Sequence, residues 1–149
     1  ALGSGTTKGV DANIADKVTK ENIKEVVRFA QEFSRKTGAV IAITGAIDLV
    51  CNQEKAFAIE NGHAMMSSIT GTGCQLSALT ASFISANPAH LLEATLAAVC
   101  TMGLAGEIAH TRLTHLDGNA SYRNYIIDAI YNMTPQQLQE GAKYQEVLF

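Results

Sequence analysis

An amphipathic helix pattern that stops at Gly38 and runs straight into Ala39-Val40-Ile41-Ala42-Ile43-Thr44 most narrows what this chain can fold into. Ile23, Val26, Val27, Ala30 and Phe33 recur at three- and four-residue spacing, with Lys24, Glu25, Arg28 and Glu32 on the other face. Thr19 reads as the N-cap of this helix and Gly38 as its stop. The β-branched run that follows suits a strand buried on both faces, as in a parallel sheet. Helix followed by buried strand predicts a layered α/β architecture. Residues 48–51 and 55–59 flank the polar link Asn52-Gln53-Glu54 and predict a short antiparallel hairpin, which makes the expected sheet mixed, though mostly parallel.

Beyond residue 68 the patterns are helical. An apolar helix is expected from the glycine-rich turn at residues 71–73 to about Ser85, where Asn87-Pro88 breaks it. A second is expected over residues 89–113. Its stretch 94–109 is rich in Ala and Gly and bounded by Glu93 and Glu107, too short and too well flanked for a bilayer span, so it predicts a buried helix in close contact with a neighbour. Asp117-Gly118-Asn119 reads as a turn, residues 120–133 as an amphipathic helix, and Thr134-Pro135 as a cap with proline at the first helical position.

Residues 69–76, Ile-Thr-Gly-Thr-Gly-Cys-Gln-Leu, carry the chemistry. A glycine-spaced turn opening a helix leaves several backbone N–H groups unpaired and aligned with the positive end of the helix dipole, which favours a phosphate or a developing negative charge. Gly71, Thr72, Gly73 and Cys74 therefore predict an anion hole. A helix start also favours the thiolate form of a cysteine placed there, so Cys74 is a candidate base or nucleophile. The plainer alternative is a tight loop with an inert, core-facing cysteine.

A net charge of −3, four tyrosines and five phenylalanines give neither a basic field nor many stacking platforms, so nucleic acid is not an expected partner. Three cysteines without CxxC spacing, and no basic-then-apolar leader, fit a reducing cytoplasm and no membrane association. Cys51 and Cys100 fall in apolar patterns and read as packing residues. His110 and His115 lie five apart, off the spacing that would put both on one helical face, so zinc is not expected.

Four segments in one order resemble the hydroxyethylthiazole kinase family, the thiamine-salvage kinases of the ribokinase-like superfamily: Lys8-Gly9-Val10-Asp11-Ala12, Val40-Ile41-Ala42-Ile43-Thr44-Gly45 with Asp48, Asn61-Gly62-His63, and Thr70-Gly71-Thr72-Gly73-Cys74. The last is the specific one, because related sugar and vitamin kinases usually carry aspartate where this family carries the cysteine. One departure is Ala46, where many members have glutamate.

The resemblance implies a ribokinase-like layered α/β/α fold with a mostly parallel central sheet. Residues 1–149 would be the C-terminal half of a single kinase domain, its upstream half absent, so that the missing half becomes a required partner of an otherwise non-catalytic piece. It further implies ATP and hydroxyethylthiazole as substrates, Mg2+ as cofactor with ligands that this half does not identify, and assembly as a homotrimer. In site terms it implies Cys74 as catalytic base, Gly71 to Cys74 as the hole for the transferred phosphoryl group, Thr44 and Gly45 at ATP, and Gly71 also at the thiazole. A competing reading of the same residues is a cysteine-dependent hydrolase with Cys74 as nucleophile and His63 as its partner.

Overall fold

The computed structural model describes residues 18–149, so the matching segment Lys8-Gly9-Val10-Asp11-Ala12 lies outside the described residues. Helix α1 (Ile23–Thr37) starts from Asn22 rather than Thr19, and Gly38 ends it in the left-handed conformation (φ 73°), its N–H donated to Ser34 O. Thr19 instead exchanges bonds with Asn22 just ahead of the helix, at 2.7 and 3.3 Å. The buried stripe is Val27, Ala30, Gln31 and Ser34, turned slightly from the predicted one, and Ser34 Oγ donates to Ala39 O at 2.6 Å.

The four strands β1 (Ile41–Ile43), β2 (Asp48–Cys51), β3 (Ala56–Ile59) and β4 (Tyr144–Glu146) form one sheet in the order β1-β2-β3-β4. Every pairing is antiparallel, which corrects the expected mostly parallel sheet for the described residues. The reason lies in the links. Parallel neighbours need a crossover of a dozen or more residues, whereas β1 and β2 are separated only by residues 44–47 and β2 and β3 only by residues 52–55. Among the described residues, the run read as a doubly buried strand is at the edge of the sheet, and Ala42 is exposed. The predicted hairpin is present, with Asn52 Oδ1 accepting the N–H groups of Glu54 and Lys55 at 2.9 and 2.8 Å.

Alternation along β2 sets the layers. Leu49 and Cys51 pack with Val27 and Ala30 of α1, whereas Val50 turns to the other face and joins Ile59, Leu92, Leu96, Val99 and Cys100. That second layer is built on α3 (Leu91–Thr111), which follows α2 (Thr72–Ala86) after the Asn87-Pro88 break and runs back along it. By length and composition α3 passes as a membrane span, yet 72% of its most apolar window is buried within this fold, as the sequence predicts of a core helix. Beyond it, Tyr122, Ile126 and Ala129 of α4 (Asn119–Asn132) pack with Ile69, Met102, Ala105 and Ala109. Helix α5 (Pro135–Gly141) begins with a capping box between Thr134 and Gln137 and proline in its first turn.

The small residues of α3 admit the segment that leads to the glycine-rich turn. A Cβ on Gly103 would lie 2.6 Å from Asn61 Cβ and 2.8 Å from Asn61 backbone C and O, and one on Gly106 would run into Met66 Sδ. The backbone at Asn61 has little room to move, whereas the flexible Met66 has more. Gly103→Ala is therefore expected to destabilise the fold by roughly 1–3 kcal/mol through overpacking, measured as the shift in urea midpoint at unchanged slope.

Candidate functional site

Residues 69–74 form the predicted turn. Ile69 is buried against α3 and α4, and Gly71 is the N-cap of α2 in the left-handed region (φ 97°), where a side chain would be strained. Gly71 O accepts the first helical bond, from Gln75 N at 3.0 Å. The N–H groups of Thr72, Gly73 and Cys74 fall in the first turn, which has no side-chain cap, so they are the unpaired donors of a helix start. Cys74 is exposed, and a Cβ added at Gly73 would meet nothing within 4 Å. The Cys74 side chain and the Cβ side of Gly73 are therefore open to solvent at this helix start. One residue on, Gln75 Oε1 is buried without a hydrogen-bond partner, an acceptor that the sequence gave no reason to single out.

Two polar connections hold the segment in front of this turn. Glu107 Oε1 on α3 accepts Asn61 Nδ2 at 3.1 Å and Gly62 N–H at 2.9 Å, while its Oε2 pairs with Lys143 Nζ at 2.6 Å. Asn61 completes the arrangement, donating to Gly141 O at 3.0 Å and accepting Lys143 N–H at 2.7 Å. Burial pushes the Glu107 pKa up, but Lys143, the Gly62 N–H and the Asn61 amide outweigh it and hold the carboxyl below its ordinary range. Downstream, Asn119 Nδ2 donates to Ser68 O at 3.1 Å, while the Ser68 hydroxyl donates to Met65 O at 2.7 Å with Asn119 Oδ1 also 3.1 Å from it. Partners 45 and 51 residues apart in sequence have no local signature.

His63 is a turn residue rather than a partner of Cys74. It caps the short 3-10 helix Ala64–Ser68 by accepting Met65 N–H on Nδ1 at 3.2 Å, and its ring stacks on His110 with centroids 3.6 Å apart. The cysteine–histidine pair needed by the hydrolase reading is therefore not assembled. Thr44 and Gly45 follow β1 and are exposed. The Gly45 N–H is already donated to Asp48 Oδ1 at 2.8 Å, so it is not free for a phosphate, and Asp48 has the hairpin role. No hydrogen bond among the described residues links Thr44 or Gly45 to residues 71–74. Topology nonetheless brings the end of β1, the end of β3 and the start of α2 to one end of the fold, since α2 and α3 are antiparallel and Glu107 bonds the residues after β3. Burial pushes the Cys51 and Cys100 thiols up to about 11, in keeping with packing residues. No cluster of three or more His, Cys, Asp or Glu side chains among the described residues converges to hold a metal.

The hydroxyethylthiazole kinase family model matches residues 2–136. The chain belongs to the hydroxyethylthiazole kinase family. It is 57% identical over 145 residues to a hydroxyethylthiazole kinase of Clostridium acetobutylicum, covering 97% of this chain and 53% of that protein. A hydroxyethylthiazole kinase of Clostridium tetani is 39% identical over 140 residues, covering 94% of this chain and 50% of that one. The structure of the hydroxyethylthiazole kinase protein from Pyrococcus horikoshii superimposes with a TM-score of 0.76 at 30% identity, over 86% of this chain and 48% of that chain. The chain thus spans about half the length of the curated relatives it matches, and its α/β arrangement is that of a thiazole kinase structure over the shared part.

Two outcomes follow from this geometry. Asp48 has its pKa raised from 3.8 to about 6, chiefly by burial and against the Gly45 N–H, so the folded state prefers the protonated form. Its contribution to stability is complete below pH 3.8 and is lost as pH rises through about 6. Asp48→Asn, which keeps an oxygen for Gly45, should raise the thermal midpoint near pH ~8 and leave it unchanged near pH ~4, read by calorimetry. Gly73→Ala, with open space for its methyl, should leave folding intact or stabilise it by up to about 1 kcal/mol. The same change should weaken phosphate binding, read by calorimetric titration with tripolyphosphate, because the methyl stands between the backbone and an approaching oxygen.

Proposed function

We propose that the protein of which this chain forms part phosphorylates the hydroxyethyl group of 4-methyl-5-(2-hydroxyethyl)thiazole from ATP. The observation that carries the reading is the exposed thiol beside three uncapped helix-start N–H groups, in a chain of this family. The chemistry asks the protein to hold the transferring phosphoryl group, orient the alcohol and take its proton. The N–H groups of Thr72, Gly73 and Cys74, with the Gly71 backbone beside them, stabilise charge on the phosphoryl oxygens. The alcohol oxygen forms its bond to the γ-phosphorus, the bond to the bridging oxygen breaks, ADP leaves, and the alcohol proton passes to Cys74 Sγ. Gly71 also faces the thiazole, and the exposed Thr44 and Gly45 contact ATP away from the Gly45 N–H.

ATP is used with a divalent metal, Mg2+ in this reading. Mg2+ is bound largely by phosphate oxygens and water. The described residues supply no set of ligands for it, and no step is assigned to it here. The chain is read as the C-terminal half of one ribokinase-like domain of a cytoplasmic homotrimer, the edge of β1 being where the sheet continues. By itself it is then a half-domain that carries the phosphoryl hole and base but lacks the rest of the pocket.

The test is ATP-dependent phosphorylation of hydroxyethylthiazole by this chain alone and by this chain joined to the part of the Clostridium acetobutylicum kinase that it does not match. Turnover is expected from the joined protein and not from the chain alone. In the joined protein Cys74→Asp should keep activity, whereas Cys74→Ala should lose it by roughly 10²–10⁴-fold, the usual contribution of a general base. Full turnover by the alanine variant removes Cys74 from the mechanism.

A further inference from the structure

We infer that Asn119 is a positioning residue for the phosphoryl-binding turn, acting through the bond from its side-chain amide to Ser68 O; this rests on the kinase reading of residues 71–74. Ser68 ends the 3-10 helix three residues before Gly71, and between them only Ile69 is buried. Asn119 Nδ2 bonds Ser68 O at 3.1 Å while the Ser68 hydroxyl turns back to Met65 O at 2.7 Å, so the start of α4 fixes where the chain enters the turn.

Three features distinguish this pair from an ordinary surface contact. First, α4 begins at Gly118 with no side-chain cap, although asparagine is among the best N-cap residues. Placed one residue later, Asn119 is given to Ser68 instead of to its own helix. Second, both residues are exposed, where an amide pair replaces bonds to water and adds little stability, so its main effect is geometric.

Third, the support of Asn119 is itself held firm. Asp117 Oδ2 accepts Thr114 N–H and Oγ1, both at 2.8 Å, and these bonds hold the Asp117 carboxyl below its ordinary range. Tyr122, one turn into α4, is fully buried and donates its hydroxyl to Gly106 O at 2.9 Å. Asn119 thus transmits the position of a rigid α3–α4 pair to a turn that contributes no side-chain cap of its own. N–H donors directed at a phosphate lose much of their effect when displaced by a fraction of an ångström, so a small loosening at Ser68 reaches binding before it reaches folding.

The test is calorimetric titration of the 149-residue chain with tripolyphosphate, with amide chemical shifts of Thr72, Gly73 and Cys74 identifying the binding site. Asn119→Ala, which suits a helix at least as well as asparagine, should weaken binding about fivefold or more with an unchanged thermal midpoint. Ser68→Ala, which keeps the backbone carbonyl that Asn119 bonds, should weaken it less than Asn119→Ala does. Native affinity retained by Asn119→Ala overturns the positioning role alone. A midpoint that falls together with affinity makes Asn119 merely structural and overturns it too. If the unaltered chain shifts none of those three amides, the phosphate-binding reading fails and the inference fails with it.

Discussion

Everything near the glycine-rich turn depends on how closely the backbone can approach α3. The 21-residue α3, packed by the sheet on one side and by α2 and α4 on others, fills these contacts with Leu92, Leu96, Val99 and Met102 along most of its length. Where Asn61 and Met66 cross it, the helix has Gly103 and Gly106. Next to Gly106 stands Glu107, whose carboxylate collects the polar groups that this close crossing would otherwise bury unsatisfied. Close approach and polar satisfaction are thus supplied within about one turn of the same helix, and the segment ahead of the glycine-rich turn inherits its place from both.

The site itself shows a division between what is fixed and what is left open. Gly71 sets the backbone direction, the hydrogen bond into its carbonyl starts α2, and the next three N–H groups have no internal partner. A longer polar residue at the cap would have consumed one of those donors. Cys74 stays exposed, while Cys51 and Cys100 are sealed in the core, so burial separates one accessible thiol from two packing ones.

Sequence reasoning reached the local features and missed the pairings. The helix of residues 72–86, its break at Asn87-Pro88, the buried helix after it, the Asn52 turn and the cap at Thr134 were legible because each is written in adjacent residues. Strand direction was misjudged from composition: a β-branched run says buried strand, but the four-residue link to β2 says antiparallel, and the link is the stronger constraint. Strand β4 and the bonds of Glu107, Asn61 and Asn119 went unseen because their partners lie tens of residues away. The family motif pointed to residues 71–74, where the structure has an uncapped helix start, yet it assigned Gly45 without the knowledge that Asp48 had already taken its N–H.

Lys143 gives its N–H to Asn61, Gly141 accepts from the same side chain, and β4 completes the far side of β3. A chain emerging from the ribosome therefore makes residues 71–74 well before the atoms that steady the approach to them exist. A stalled or clipped product ending before residue 141 would contain every residue of the glycine-rich turn without the bonds from Gly141 and Lys143 that hold the segment ahead of it.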